Sequence, residues 1–376
     1  MPDDPFEALD AVLRSRGPDA GFELLIQRFR DEKKYPLLFE ARVMQSRHAL
    51  GLPLVHEGSL ENLPADKRGL HERAYIDAAR ETGSLFLADG DIPRAWHYFR
   101  AIGEVAPVAA AIEQVAPAEN QEAIIEIALH ERVHPRKGFE LILANYGICR
   151  AITFLDQYPD PHTRDDCVRL LVRTLHHDLS ENLKRAIAKS EGSTPESCRV
   201  PELVARRAWL FGEYDYYVDT SHLNSILRFS LDLKDRETLA LAVELTEYGK
   251  HLSPMFHYRG EPPFEDGYVD YAVYLRALMG ECVSEAVAHF RHKAANADPQ
   301  AVETLVTFLA RLGRFGEAID VSLEHLRDAD ASRLQCPSIF HLCQMAGDFS
   351  RLRDLARQRG DLLHFAAAIM QVRANG

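Results

Sequence analysis

"FLARLGRFGEAIDVSLEHLRDAD", residues 308–330, holds two helical patterns joined by a very short turn. Apolar residues recur at three- and four-residue spacing on both sides of Gly313, the signature of amphipathic helices and not of strands. Gly313 lets the first helix end in a left-handed conformation, Phe315 plugs the turn, and Ala318 permits close helix–helix approach. The plan recurs in "LFLADGDIPRAWHYFRAIGEVAP" (85–107) with Gly90, Ile92 and Ala95. It recurs in "YLRALMGECVSEAVAHFRHKAANADP" (274–299) with Gly280, Val283 and Ala286. "HLCQMAGDFSRLRDLARQRGD" (341–361) keeps Gly347 and Phe349 and puts Leu352 where the others have Ala.

Working outward, "PFEALDAVLRS", "QEAIIEIALHERV", "DCVRLLVRTLHHDL" and "AVETLVTFLARLG" carry the same helical period, and strand-like alternation is almost absent. The chain therefore reads as all-α, with roughly 15 or more helices at average helix length. The turn residues resemble those of the tetratricopeptide (TPR) family, whose unit is a helix, a G-x-[FY]-x-x-A turn and a second helix. The resemblance is good over 270–361, fair over 75–107 and weak over 110–270. It implies a right-handed α-solenoid of TPR-like hairpins with degenerate central repeats, binding a protein segment or peptide on its concave surface. Four parts of one continuous solenoid are expected: 1–115 with one TPR-like unit, 116–200, 201–269 with a polar and aromatic loop, and 270–376.

A second repeat is specific to this chain. "GPDAGFELLIQRF" (17–29) aligns without gaps on "HPRKGFELILANY" (134–146), matching Pro18 with Pro135, Gly21 with Gly138 and Phe22 with Phe139. Both read as helix starts, with Pro in the first turn where its missing N–H does no harm. Loops are expected at 51–66, at 190–201 as a hinge, and at 251–268, where His, Arg, acids and aromatics are too dense for a disordered linker.

The 376 residues are 46% hydrophobic and 27% charged, as in a folded globular chain. A net charge of −13 without a basic block disfavours nucleic acid and anionic membranes as partners. The acidic N-terminus lacks the form of a signal peptide, and no apolar run approaches the roughly 20 residues of a membrane span. The six cysteines form no CxxC pair and read as reduced thiols, so a cytoplasmic location is expected.

Three stretches bear on chemistry. His130-Glu131-Arg132-Val133-His134 resembles the HExxH signature of zinc hydrolases, whose two His share one helix face. Pro135 disfavours that geometry, and the internal alignment puts His134 at a junction between helices. His176, His177 and Asp178 stand together in a helical run, and His130 or His134, then His177-Asp178, then Asp219 follow the ligand order of HD-type phosphohydrolases, also all-α; the plainer reading is a solvated helix face.

The third stretch is "FGEYDYYVDTSHLNSILRFSLDL" (211–233). Asp219 is expected to cap a helix beginning near Thr220, with His222 in its first turn. In the sharper reading Asp219, His222 and Arg228 meet His251, His257, Arg259 and Glu261 in one pocket for an anion or a metal. No GxxxxGK[ST], GxGxxG or GxSxG is present.

The expectation is a scaffold with a protein or peptide partner and no cofactor. The alternative is a metal-dependent enzyme or small-ligand binder in the central region. Its ligand residues would be Asp219, His222, Arg228, His257, Arg259 and Glu261, and a divalent metal would be held by His130, Glu131, His177 and His222.

Overall fold

The structure is a computed structural model that describes residues 4–55, 65–157, 161–296, 298–327, 329 and 333–374. Among the described residues are nineteen α-helices and no strand, and consecutive helices pack against one another in pairs. The chain divides into two compact units, Met1–Gly147 and Ile148–Gly376.

The first unit holds α1 (Pro5–Arg16), α2 (Pro18–Asp31), α3 (Tyr35–Ala49), α4 (Ala65–Ala88), α5 (Ile92–Ala101), α6 (Ala106–Glu113), α7 (Glu122–Leu129) and the start of α8 (Pro135–Gln157). The rest of α8 opens the second unit. There follow α9 (Pro161–Glu191), α10 (Val200–Val204), α11 (Thr220–Ser230), α12 (Arg236–His251), α13 (Gly267–Leu278), α14 (Val283–Ala294), α15 (Pro299–Arg311), α16 (Phe315–His325), α17 (Ile339–Ala346), α18 (Phe349–Gln358) and α19 (Leu362–Ala374).

The turn read at Gly313 is a general device of this chain. The Gly313 N–H donates to Ala310 O and the Arg314 N–H to Leu309 O, which closes α15 as a Schellman motif with Gly313 left-handed at φ +73°. The same two bonds close helices at Gly90, Gly280 and Gly347, as the sequence suggests. They also occur at Lys33, Gly51, Gly103 and Gly360, which the sequence reading did not single out. At Lys33 a non-glycine residue takes φ 53°, and the next helix still begins two residues later with Tyr35, buried edge-on against Phe86. After Gly280 the turn is one residue longer, and Cys282 adopts a left-handed conformation of its own. Ala95, Ala286 and Ala318 are buried at the helix contacts, and Leu352 fills the equivalent place in the last copy.

Two glycines of the Gly313 turn are predicted to respond in opposite directions. A Cβ on either meets nothing within 4 Å, so only backbone preference is at stake. Gly313→Ala is expected to lose about 1–2 kcal/mol in urea unfolding, because φ stays positive. Gly316→Ala, inside α16 with no positive φ, is expected to gain about 0.4–1 kcal/mol. Equal effects of the two substitutions would show that the turn does not set the conformation of Gly313.

The alignment of 17–29 with 134–146 has a structural basis. Pro18 and Pro135 each occupy the first turn of a helix. A Cβ on Gly21 would stand 2.4 Å from Leu13 of α1, and one on Gly138 would stand 2.6 Å from Leu129 of α7. The glycines thus let the preceding helix lie close, and Phe22 and Phe139 are buried one residue later. α8 is long and apolar enough, by length and composition, to cross a membrane. Gly147 (φ 78°, ψ 176°) breaks it into the segments 135–146 and 148–157, each shorter than the roughly 20 residues a span needs.

In the second unit one long helix, α9, precedes the hairpins that turn at Gly280, Gly313, Gly347 and Gly360. Cys167, Val168, Leu171, Val172, Leu175, Leu179, Leu183 and Ile187 form a buried stripe down α9, against which α10, α11 and α12 pack. The segment 190–201, expected as a hinge, is held at its far end: Ser180 Oγ donates to Cys198 O, and the Val200 N–H donates to Glu244. Of the expected loop at 51–66, residues 56–64 lie outside the described residues.

Candidate functional site

The outward face of α9 carries His177, Asp178, Glu181, Asn182 and Arg185 at helical spacing, opposite the buried stripe. Together with Val218, Asp219 and His222 at the start of α11 they line an open cleft of about 430 Å³. The structure therefore brings His177 and Asp178 together with Asp219 and His222. His176 turns the other way, into the core, where its Nε2 lies 2.9 Å from Glu244. The two adjacent histidines do not share an exposed face.

Asp219 caps α11 as expected. Its Oδ1 accepts from Ser221 N at 2.8 Å, from His222 N at 3.3 Å and from the Ser221 hydroxyl at 2.5 Å. The Ser221 hydroxyl, the two backbone N–H groups and the nearby His222 hold the Asp219 carboxyl below its ordinary range against the opposing effect of burial. Asn182 Nδ2 donates to Tyr217 O and so joins α9 to the segment leading into the cap.

The other sequence-predicted residues lie elsewhere. Arg228 pairs with Asp156 at 2.7 Å and lies over the Phe229 ring. His257 Nε2 donates to Leu252 O, and His257 and Arg259 line a separate hollow of about 310 Å³ beside Lys250 and Tyr268. Glu261 accepts from Gln300 Nε2 at 3.1 Å. The single pocket expected from 211–228 and 251–268 is thus two hollows and two peripheral contacts.

His130 and Glu131 belong to the first unit, where α7 has already ended at Leu129. Arg132 is left-handed, and His134 precedes the Pro135 that opens α8, so the two histidines do not lie on one helix face. Glu131 pairs with Arg100 and His134 with Glu113. His177 and His222 lie in the second unit. Among the described residues no three His, Cys, Asp or Glu side chains form a group able to hold a metal ion.

A larger feature escaped the sequence reading. Two adjoining hollows of about 590 and 640 Å³ share Leu233, Lys234 and Arg311. One reaches Arg164, Asp165 and Val168 of α9; the other is lined by Leu239, Leu278, Thr307, Phe315, Pro337, His341 and Met345. Together they make a groove across α9, α12, α13, α15, α16 and α17, apolar at its floor and charged at its rim. Arg311 fixes one wall by donating through Nη2 to Leu233 O. Met345, exposed on α17, was the available signal: an apolar side chain outside the stripe that buries Leu342 and Cys343.

No family model, no curated protein and no solved structure matches this chain. Its functional reading rests on its own geometry.

Proposed function

We propose that the chain is a helical-repeat scaffold of the tetratricopeptide type that binds an extended protein segment in the groove of its second unit. The observation that carries this reading is the groove's course across successive helix pairs, with Leu278, Phe315 and Met345 offering apolar contact over the buried Leu233 and Leu239 and beside Lys234, Arg164 and Arg311. Stacked helical hairpins characteristically present extended binding surfaces of this kind. An apolar floor supplies the affinity and the charged rim the register.

The alternative of a small polar ligand places binding at the cleft of His177, Asp178, Asp219 and His222 instead. Peptide-display selection on the full chain distinguishes the two. The expected result is a consensus peptide whose affinity falls by at least about tenfold in Leu278→Asp or Met345→Asp, the effect of removing an interface anchor. His177→Ala and His222→Ala should leave it unchanged. Peptides insensitive to both groove substitutions would overturn the proposal.

A further inference from the structure

We propose that α19 is a self-association surface on which a second copy of this chain packs its own α19, antiparallel, about a twofold axis. α19 turns Ala368 into the core, while Leu362, Leu363, Met370 and Val372 are 81, 78, 69 and 55% exposed. Of these, Leu363 and Met370 share one face of the helix, with Leu362 at its edge, and form the kind of patch that marks an interaction site. The helix itself is fixed in place. Asp361 accepts from the His364 N–H and lies 2.8 Å from His364 Nδ1, and the His364 ring stacks on Phe340.

Two observations identify the occupant. The first is spacing. Leu363 and Met370 stand seven residues apart, two helical turns, with Ala366 and Ala367 midway between them. Reversing the helix exchanges Leu363 with Met370 and Ala366 with Ala367. An antiparallel copy therefore sets each large side chain against the other's and leaves alanines at the axis, where two helices can approach closely. That is the self-complementarity a twofold interface requires. The second is charge. With 57 acidic and 44 basic residues, the net charge of −13 makes two copies repel. Leu362–Ala374 contains no Asp or Glu, so a second copy meets no negative side chain of that helix there.

The test is sedimentation of the full chain over a concentration series. The expected species is a dimer at twice the 42.5 kDa of the chain. Leu363→Glu/Met370→Glu places like charges across the axis and should weaken the dimer at least about 30-fold, as loss of central apolar anchors does. Leu363→Lys/Met370→Glu should retain it, because antiparallel packing sets each Lys against a Glu, whereas parallel packing would set like against like. Unchanged far-UV circular dichroism establishes that the variants fold. A chain monomeric throughout the series would overturn the proposal, as would a dimer indifferent to Leu363→Glu/Met370→Glu or one lost in Leu363→Lys/Met370→Glu. Monomers that instead bind neutral phosphatidylcholine vesicles through α19 would also overturn it.

Discussion

Replacing Lys293 by Met should lower the stability of the full chain by about 3–5 kcal/mol in equilibrium urea unfolding, the cost of leaving a buried charge uncompensated. The charge is that of Asp270, which is 0% exposed in α13. Its Oδ2 lies 2.7 Å from Lys293 Nζ and accepts from the Asp266 N–H at 2.8 Å, and its Oδ1 lies 2.7 Å from His289 Nε2. Lys293 also meets Glu265 at 2.7 Å. Burial alone would lower the Lys293 pKa, but Asp270 and Glu265 together raise it above its ordinary value of 10.5. A raised lysine contributes stability that is fully present below its unfolded value and is lost only as pH rises through the folded one. At neutral pH the pair is therefore intact.

The control is Asp270→Asn/Lys293→Met, which removes both charges and keeps side chains of similar size. It should recover most of the loss, because the penalty comes from the unpaired charge and not from the missing attraction. If Lys293→Met alone costs no more than about 1 kcal/mol, the pair behaves as an exposed salt bridge and this account of the α13–α14 contact fails.

Helical class and hairpin punctuation were legible because they depend on local chemistry. A glycine in a left-handed turn, followed by an apolar plug, leaves its mark within six residues, and Gly90, Gly313 and Gly347 were found that way. Lys33 was missed because its tolerance of φ 53° lies in the backbone and in no residue type. The cleft of His177, Asp178, Asp219 and His222 was half legible. The Asp219 cap could be read from its neighbours, but whether α11 faced α9 or the 251–268 loop depends on how α9 packs. The groove left one sign in the sequence, Met345. Leu278 and Phe315 in its lining are indistinguishable in sequence from core residues such as the neighbouring Leu233 and Leu239, and only packing leaves the first two partly open. The same limit hid the partner of His176. It is adjacent to His177 in sequence, yet the helical turn sends one into the core and the other to solvent.

Glu244 is that partner, and Glu244→Ala is expected to cost about 3 kcal/mol, since it strands two buried groups at once, the His176 ring and the Val200 N–H. The carboxylate lies 2.9 Å from His176 Nε2, accepts from Arg199 Nε at 3.0 Å and from the Val200 N–H at 3.0 Å. It thereby ties α9, α10 and α12 together beneath the cleft. Burial raises its pKa, but His176, the Val200 N–H and Arg199 outweigh that effect and hold it below the ordinary 4.5. The pH dependence has a definite sign. A carboxyl lowered by folding contributes stability that is fully present above its unfolded value and is lost as pH falls through the lowered folded value. The contribution of Glu244 should therefore be constant at neutral pH and decline as the pH drops below about 4.5, where the unfolded chain binds the proton first. Glu244→Gln keeps the acceptor for the Val200 N–H and removes the charge, so it should lose less than Glu244→Ala. Its deficit against the parent chain should also shrink on acidification. A deficit that stays constant from neutral pH down to pH values well below the ordinary glutamate range would mean that Glu244 acts through packing and not through its charge.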